Sequence, residues 1–501
     1  MARQAYLVCN PASGNLKGRA LLQDKVRPLL KAADVHVIEY ETRAAGDGVQ
    51  VGKQLRDTFL KASQNDGVDL LLLGGDGTTH EVLDGLYHHG QPSKAILPEV
   101  RLSIVPTGTA NALYAAMYPP SSSRRSREGP SSTDDSDEWQ LRSLKAYLKA
   151  CVSSDSGSFP PSPSLFPATL SSVQLTKQDA TASNVLIHLI ASHALHASIL
   201  HDSEALRKEH PGIERFKMAA LQNLTHWVDG ELVLHGGPKD QVSQFEAQTR
   251  SFVATEEKIL RGPFFYMICA STDRLEPQFV PAPFGHPQQA QAHNVQSNAT
   301  TADADADVGP LARPLDQLDI VLIRPLRDPG VRQRLGLNTK DLDGRSSGMS
   351  WDRADTEKAR EFFAQARATP ITKAMYDEGK HVYLRYPRVD QESAGSYEQG
   401  DAPMSADNKG EAVVEYYRCS GYDWKPVSAS ILVKQDLFLL SASFELTFEF
   451  HFCAGLYTLK STSHLLEANE HASTERWRTQ RKRRAEWRSI WRARWVCGFR
   501  A

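Results

Sequence analysis

The chain is short of cysteine, of long apolar runs and of net charge. Its six cysteines are scattered without a Cys-x-x-Cys pair, a usage that indicates reduced thiols rather than disulfides or zinc sites. No apolar stretch reaches the roughly 20 residues needed to cross a bilayer, and no room is left before the first strand-like run for a signal peptide. A net charge of −2 gives no indication of a nucleic-acid partner. These absences predict a cytoplasmic protein.

The most informative segment is residues 68–79, where an apolar run with four consecutive leucines ends in a glycine-rich turn. Such a run fits a strand buried on both faces of a parallel sheet. Gly74, Gly75 and Gly77 lack a Cβ, so they adopt positive φ cheaply and allow backbone N–H groups to converge on an anion. Thr78 is expected to cap the next helix, whose N-terminus also favours phosphate. An ordinary turn between strand and helix is the alternative.

Similar segments recur within the first 120 residues. A strand-like run breaks into a small-residue turn at 10–14, an alternating run over 35–40 ends near Thr42, and an apolar run over 102–105 enters the turn 106–111. Strand, turn and helix therefore alternate, which predicts a parallel sheet covered by helices. The loops of such a sheet gather at one edge, where α/β proteins bind their ligands.

The three loops together resemble the signatures of the diacylglycerol kinase catalytic domain family, which includes diacylglycerol, sphingosine and ceramide kinases. They read Asn10-Pro11-Ala12-Ser13-Gly14, Gly74-Gly75-Asp76-Gly77-Thr78 and Pro106-Thr107-Gly108-Thr109-Ala110-Asn111. The resemblance implies an ATP-dependent lipid kinase with Mg²⁺ in its cleft. It also implies an α/β protein of two domains, similar to NAD kinase and diacylglycerol kinase: a Rossmann-like parallel nucleotide-binding domain, then a β-rich antiparallel domain that binds lipid.

Carried over position by position, the resemblance implies a nucleotide-contacting set: Asn10, Pro11, Ser13, Gly14, Thr42, Gly74, Gly75, Gly77, Thr78, Thr107, Gly108 and Asn111. Asn, Ser and Thr also cap turns and helices without binding any ligand, so that alternative stays open.

Asp76 is the candidate catalytic residue. Phosphoryl transfer is mostly positioning and charge neutralisation, so the site needs a group that orients or deprotonates the attacking hydroxyl. A carboxylate among backbone N–H groups is expected to stay ionised. Asp76 would then either hold Mg²⁺ through water or accept the hydroxyl proton, and no direct metal ligand is assigned.

The acceptor lipid is indicated less clearly. Asn111 is followed by Ala112, as in sphingosine and ceramide kinases, whereas many diacylglycerol kinases have Asp there, so the resemblance favours a sphingoid base. Asp202 and Glu204 match an acidic substrate-binding cluster near the head group of that branch. The first turn of a helix is the alternative use for such acidic residues.

Other positions depart from the sphingosine kinase pattern. Leu200 stands near the position of the expected head-group aspartate, and Ser420 and Tyr422 replace acidic residues beside Gly421. Diacylglycerol or ceramide therefore remain alternative acceptors. A soluble-substrate kinase related to NAD kinases and a catalytically weak scaffold are alternatives of other classes.

Composition also predicts the domain organisation. With 501 residues, 41% of them hydrophobic, the chain is long enough for two cores. We expect a nucleotide-binding domain over 1–152 with a disordered loop at 119–137, a linker over 153–167, and a β-rich domain over 168–430 with disordered insertions near 288–307 and 391–408. Apolar or alternating runs such as 264–269, 320–323 and 382–386 predict antiparallel strands.

The segment 431–501 forms an atypical basic tail with interleaved tryptophans. It predicts an interfacial helix drawn to anionic lipid, a nucleic-acid contact, or an incorrectly assigned end of the coding sequence. Because a lipid substrate lies in a bilayer, we expect the protein to associate peripherally with intracellular membranes and to have no nucleic-acid partner. The oligomeric state is left open.

Overall fold

The computed structural model describes residues 3–13, 17–61, 67–87, 97–119, 138–152, 168–176, 182–237, 241–286, 311, 313–314, 316–337, 354–388, 401–426 and 447–453. The chain divides into a compact unit of residues 1–453 and a second unit of residues 454–501. Every feature below belongs to the first unit. The predicted linker 153–167, the insertion 288–307, nearly all of the loop 119–137 and Gly14 lie outside the described residues. The predicted domain boundaries stay a prediction.

The N-terminal part is a four-stranded sheet in the order β2-β1-β3-β4, with every neighbouring pair parallel. Its strands are β1 (Arg3–Cys9), β2 (Val35–Glu41), β3 (Val68–Gly74) and β4 (Val100–Pro106). The helices are α1 (Lys17–Leu21), α2 (Arg27–Ala32), α3 (Asp47–Phe59), α4 (Asp76–Tyr87), α5 (Ala112–Met117) and α6 (Arg142–Val152), with a π-helical turn, Leu22–Val26, between α1 and α2.

The leucine run of β3 is buried along its whole length, as predicted. Leu71 and Leu73 face a cluster that contains side chains of α1, α2 and α6, whereas Leu70 and Leu72 face one that contains side chains of α3 and α4. Successive side chains of a strand point to opposite faces. The run is therefore apolar throughout because both faces of the sheet are covered by helices.

A buried carboxylate joins three strands at the amino-terminal ends of β1, β3 and β4. Asp69 on β3 is only 2% exposed and pairs with Arg3 Nε of β1 and Arg101 Nε of β4, each at 2.6 Å. The Tyr147 hydroxyl of α6 donates to the same carboxylate at 3.1 Å. We call these residues the Asp69 clamp, and the charge of its carboxylate is compensated within the protein.

The C-terminal part consists of antiparallel strands in two six-stranded sheets, which confirms the predicted fold class. One sheet has the order β10-β9-β14-β13-β12-β7 and the other the order β11-β8-β15-β16-β5-β6. The strands are β5 (Leu170–Thr176), β6 (Ala182–Ile187), β7 (Ile190–Ala194), β8 (Gly230–His235), β9 (Val242–Glu246), β10 (Ser251–Thr255), β11 (Ile259–Arg261), β12 (Tyr266–Ala270), β13 (Leu318–Ile323), β14 (Glu415–Cys419), β15 (Gly421–Pro426) and β16 (Thr447–Cys453).

Helices cover the outer face of the first of these sheets. They are α7 (Leu195–Leu206), α8 (Glu214–Asn223), α9 (Pro329–Leu335), α10 (Ala354–Phe363) and α11 (Thr369–Tyr376), with a π-helical turn, Ala364–Ala368, before α11. One core cluster lies between this sheet and its helices, and contains Ile268, Val321 and Phe363. A second cluster contains side chains of both sheets, such as Met267 and Trp424, so the two sheets pack face to face.

Ala194, at the junction of β7 and α7, has an unusual backbone conformation. Its φ is 55° and its ψ −135°, a region that residues with a Cβ rarely occupy. The residue is fully buried, and the amide of the next residue, Leu195, donates to Phe265 O at 3.0 Å. Packing and backbone hydrogen bonding therefore hold the chain in a strained corner.

Some predicted elements were wrong. Residues 382–386 do not form a strand, because Lys380–Tyr383 is a 3₁₀ helix and Arg385 makes only isolated bridges to Ser405 and Ala412. The second half of the expected insertion 391–408 is packed on the fold, since Arg334 pairs with Asp401 at 2.8 Å. Part of the atypical tail also enters a sheet: Thr447–Cys453 is strand β16, between β15 and β5.

Within the described part of the chain, no helix is both long enough and apolar enough to cross a membrane.

Candidate active site

The loops that follow β1, β3 and β4 are joined by backbone hydrogen bonds at the carboxyl edge of the parallel sheet. Asn10 N donates to Leu73 O at 2.9 Å, and Thr107 N donates to Gly74 O at 3.0 Å. Parallel strands in register end at the same edge, so loops that lie far apart in sequence become neighbours.

Side chains continue this network. Asn10 Nδ2 donates to Thr78 Oγ1 at 2.8 Å, and Ser13 Oγ donates to Asn10 O at 2.8 Å. The Ser13 and Thr107 hydroxyls are also hydrogen-bonded to each other. Four residues of the predicted nucleotide-contacting set thus meet in one cluster, and their described hydrogen bonds run mainly between the loops.

The glycines of the turn have a different use from the one expected. None of Gly74, Gly75 and Gly77 has a positive φ. A Cβ on Gly75 would lie 2.8 Å from Gly108 Cα, and one on Gly108 would lie 2.6 Å from Gly75 Cα. These two residues therefore have to be glycine so that the β3 and β4 loops can touch, whereas a Cβ on Gly77 would meet nothing within 4 Å.

The expectation that Thr78 caps helix α4 was wrong. The helix begins at Asp76, and the first carbonyl to accept a helical bond is that of Gly75, from Thr79 N at 3.1 Å. Thr78 therefore lies inside the first turn and is buried against the Asn10 loop. The helix starts this early because the glycine turn connects the end of β3 directly to α4.

Asp76 lies against the third of these loops. Its carboxylate accepts hydrogen bonds from Ala112 N at 2.8 Å and Leu113 N at 3.2 Å, the first amides of α5. Asn111 precedes them with φ 53° and ψ 49°, a left-handed conformation that Asn tolerates better than most residues. Its side chain bonds both to Gly108 N at 2.8 Å and to Gly108 O at 2.9 Å. The third loop is thereby folded so that its amides point at Asp76.

Burial changes the acidity of Asp76. Removal from water raises the pKa of its carboxyl above the ordinary value of 3.8, and the surrounding backbone N–H groups lower it by less. The predicted surroundings of amide donors are present, and desolvation, which the sequence motif does not indicate, outweighs their effect on the pKa. A carboxylate with a raised pKa is a better proton acceptor than an ordinary one.

Two further members of the set, Thr42 and Pro11, follow strands β2 and β1. The amide of Thr42 donates to Cys9 O at 3.0 Å and its side chain is buried. Pro11 is half-buried in the turn after β1. Among the residues the structure describes, no group of three or more His, Cys, Asp or Glu is arranged to hold a metal ion.

The two acidic residues of the second part already have protein partners. Asp202 accepts from Asn223 Nδ2 at 2.7 Å and from His201 Nδ1 at 2.9 Å, and Glu204 forms an ion pair with Arg207. Both lie near the C-terminal end of α7. They are therefore neither in the first turn of a helix nor free of partners.

The positions that depart from the sphingosine kinase pattern also differ in their surroundings. Tyr422 is fully buried between the sheets, and its hydroxyl bonds to His193 Nε2 at 3.1 Å. Ser420 Oγ donates to His235 O at 3.0 Å. Leu200 is 37% exposed on α7. The described contacts of Ser420 and Tyr422 are thus those of the β-sandwich.

Helix α4 also makes contacts that the sequence analysis did not predict. The rings of His80 and His188 stack with centroids 6.0 Å apart, and Leu186 N donates to Asp84 Oδ1 at 2.8 Å. Glu81 accepts from Gly46 N at 3.1 Å and Gly48 N at 3.0 Å. The four-residue spacing of 76, 80 and 84 was the available signal, since residues i and i+4 share a helix face.

The match to a known protein family lies in the N-terminal part of the chain. Residues 4–128 match the family model of the diacylglycerol kinase catalytic domain. The N-terminal part of the chain therefore contains this domain, and the resemblance predicted from the three loops is confirmed.

Similar proteins phosphorylate different lipids according to their names. A sphingoid long chain base kinase 5 of Saccharomyces cerevisiae is 27% identical over 120 residues, which are 23% of this chain and 16% of that protein. A diacylglycerol kinase of Staphylococcus carnosus is 29% identical over 120 residues, 24% of this chain and 34% of that protein. A mitochondrial acylglycerol kinase of Xenopus laevis is 26% identical over 117 residues, 23% of this chain and 25% of that protein.

This chain thus spans about a third or less of each of these relatives. A solved structure of a diacylglycerol kinase from Bacillus anthracis aligns over 90% of this chain and 94% of that one, with 13% identity and a TM-score of 0.36.

Proposed function

We propose that the protein is an ATP-dependent lipid kinase that transfers the γ-phosphoryl group to a lipid hydroxyl. The observation that carries this proposal is the position of Asp76, which begins helix α4 at the meeting point of three loops and accepts hydrogen bonds from Ala112 N and Leu113 N. The catalytic domain matched over residues 4–128 supports the reaction class.

In the proposed reaction the acceptor oxygen attacks the γ-phosphorus, the bond from this phosphorus to the β,γ-bridging oxygen breaks so that ADP leaves, and the hydroxyl proton passes to Asp76. The raised pKa of Asp76 suits this role as proton acceptor. Asn10, Ser13, Thr78 and Thr107 place hydroxyl and amide groups along the same edge, and Gly77 in the first turn of α4 is exposed. These residues, with Gly14, Thr42 and Asn111, form the proposed nucleotide site.

The donor set also fits Mg²⁺ held partly by the substrate. Asp76 is a largely buried oxygen donor that keeps some exposure at the edge of the loops, and Mg²⁺ is commonly held by one or two carboxylates, water and phosphate oxygens. When bound, Mg²⁺ would neutralise charge that develops on the phosphate oxygens. Asp76 would then hold it through water.

The acceptor class has two candidates. A sphingoid base is favoured by Ala112 after Asn111 and by relatives named as sphingoid base kinases. Diacylglycerol or ceramide is the alternative, favoured by relatives named as diacylglycerol kinases and by the partners of Asp202 and Glu204. For either acceptor we place the protein in the cytoplasm, at the surface of intracellular membranes.

The test is transfer of radiolabelled phosphate from ATP to sphingosine, diacylglycerol, ceramide and NAD in parallel, with Mg²⁺ present. We expect transfer to a lipid and its loss in Asp76→Asn. Asp57→Asn changes an exposed aspartate of α3 and serves as the matched control, with activity retained. Transfer to NAD alone would identify a soluble-substrate kinase instead. Binding of lipid without transfer to any acceptor would leave the scaffold hypothesis.

A further inference from the structure

Glu81 links helix α4 to the start of helix α3. Residues 42–46, which we call the β2 loop, connect β2 to α3. Glu81 Oε1 accepts a hydrogen bond from Gly46 N at 3.1 Å, and Oε2 accepts one from Gly48 N at 3.0 Å. The first amides of a helix need a partner outside it, and Gly46, which precedes α3, has no side chain to provide one. The cap of α3 therefore comes from a neighbouring helix.

The backbones of α3 and α4 are in direct contact beside this cap. A Cβ on Gly52 would lie 2.3 Å from Val82 O, and one on Gly85 would lie 2.1 Å from Val49 O. Glycine at both positions allows this approach, and side chains of the two helices share one core cluster. The start of α3 is therefore held at a defined place relative to α4, the helix that begins at Asp76.

Other amides of the β2 loop also bond within the protein. Asp47 Oδ2 accepts from Arg43 N at 2.8 Å and from Ala44 N at 3.0 Å, and Thr42 N donates to Cys9 O at 3.0 Å. The loop is thus held by β1, by α3 and by α4. Because these amides are occupied, the loop offers a ligand its side chains and carbonyl oxygens.

The β2 loop lies at the carboxyl edge of the parallel sheet, on the side away from the third signature loop. The strand order is β2-β1-β3-β4, and neighbouring strands are about 4.8 Å apart, so the β2 loop lies about 10 Å from the glycine turn after β3. On the β4 side, the amides of Ala112 and Leu113 close against Asp76. A nucleotide with its γ-phosphate at Asp76 is therefore expected to extend its nucleoside past the β1 loop towards β2.

We propose that Glu81 is a positioning residue for ATP: it holds the β2 loop against the nucleoside end while Asp76, on the same helix, faces the γ-phosphate. Glu81 does not touch the nucleotide and acts through the amides of Gly46 and Gly48. Helix α4 thereby fixes the distance between the two ends of the nucleotide site. The inference rests on the proposed kinase function and adds to it a residue that sets the affinity for ATP.

The first experiment compares the steady-state kinetics of Glu81→Gln with those of the unaltered protein. Each carboxylate oxygen of Glu81 accepts from a different amide, so glutamine keeps one acceptor and turns an NH₂ group towards the other amide. We expect the KM for ATP to rise roughly tenfold, with kcat at saturating ATP and the KM for the lipid unchanged. A lower kcat with an unchanged KM for ATP would contradict the positioning role.

Asp47→Asn is the matched control. A single oxygen, Oδ2, accepts from both Arg43 N and Ala44 N, so the amide oxygen of asparagine can keep both bonds while the charge is lost. We expect the KM for ATP to stay unchanged in this variant. The same rise as in Glu81→Gln would assign the effect to lost negative charge at the start of α3 and would overturn the proposal.

A binding measurement shows which end of the nucleotide is affected. Isothermal titration calorimetry compares Mg²⁺-ATP with Mg²⁺-tripolyphosphate, which has the phosphates of ATP and no nucleoside. We expect Glu81→Gln to weaken the binding of ATP roughly tenfold and to leave the binding of tripolyphosphate unchanged. A general loss of structure around α4 would weaken both ligands, so equal weakening overturns the positioning role.

Asp47→Ala keeps the test decisive where Glu81→Gln does not fold. It releases Arg43 N and Ala44 N without changing α4, and we expect the same loss of affinity for ATP alone. If the unaltered protein binds ATP but phosphorylates no acceptor, the kinase proposal fails, while the comparison of ATP with tripolyphosphate still judges Glu81. If lipid is phosphorylated and neither substitution changes the affinity for ATP, the positioning role is overturned and the kinase function stands.

Discussion

Gly75 and Gly108 face each other across the β3 and β4 loops so closely that a Cβ on either would lie under 3 Å from the Cα of the other. This contact places the amides of Ala112 and Leu113 on Asp76. The two glycines come from different signature loops, and each explains why the other cannot be replaced.

Gly75→Ala and Gly108→Ala are expected to destabilise the protein by about 1–3 kcal/mol, because the added methyl group forces two backbones apart. Gly77→Ala is the control, since its Cβ would meet nothing within 4 Å. There we expect no loss, and a gain of up to about 1 kcal/mol from the better helix propensity of alanine. Urea unfolding of the three variants measures these differences. Equal destabilisation by all three would contradict the close-contact explanation.

Asp76 should make stability depend on pH in a recognisable direction. Its folded pKa is raised above 3.8, so the folded state holds the proton more tightly than the unfolded state does. Stability from this group is therefore largest at acidic pH and falls as pH rises from about 4 towards its folded pKa.

The comparison is between the protein and Asp76→Asn, without nucleotide, by thermal unfolding from pH 4 to 8. The decline with pH is expected to be shallower in the variant, which does not titrate at this position. Parallel pH curves would show that Asp76 is not the source of the effect.

Removing the carboxylate of the Asp69 clamp should be costly. Asp69→Ala removes the 2% exposed carboxylate that Arg3 and Arg101 share, and loss of one member of a buried ion pair typically costs about 3–5 kcal/mol. Glu41→Ala breaks the exposed Arg19 pair and should change the free energy of unfolding little. Denaturant titration distinguishes them. A small effect at both positions would mean that Asp69 does not join the strands.

Ala194→Gly should behave unlike other buried alanine-to-glycine changes. Any such change loses a methyl contact worth about 0.8 kcal/mol and increases the conformational freedom of the unfolded backbone. At Ala194, glycine also relieves the backbone strain at φ 55°, which stabilises the folded state by about 1–3 kcal/mol. Ala191→Gly, on the same strand and in the same core cluster, has no such strain in its favour. We expect Ala194→Gly to be the more stable variant in urea unfolding. The opposite order would show that packing around the methyl group dominates.

The sequence predicted those features that depend on local pattern. Leu70 to Leu73 predicted a strand buried on both faces, and the three small-residue loops predicted one ligand-binding edge. The features that the sequence did not predict depend on contacts between residues that lie far apart in the chain. Nothing near Asp202 in the sequence indicates its bond to Asn223, and the burial of Tyr422 follows from His193 on another strand.

Errors of detail had physical causes as well. Thr78 was expected to cap α4. The chain instead turns at Gly75, directly after β3, so the helix starts earlier, at Asp76. The raised pKa of Asp76 was not predicted, because amide donors are visible in a sequence motif, whereas desolvation depends on how the loops pack.

The four-residue spacing along α4 places three contacts on one face of the helix. Asp76 meets the third loop, His80 meets His188, and Asp84 holds the amide of Leu186. One inserted residue between them would rotate every later side chain by about 100°, so all the later contacts would be lost together. The length of this helix segment is therefore as constrained as the identity of any residue in it, and related chains are expected to vary in the loops while this segment keeps its length.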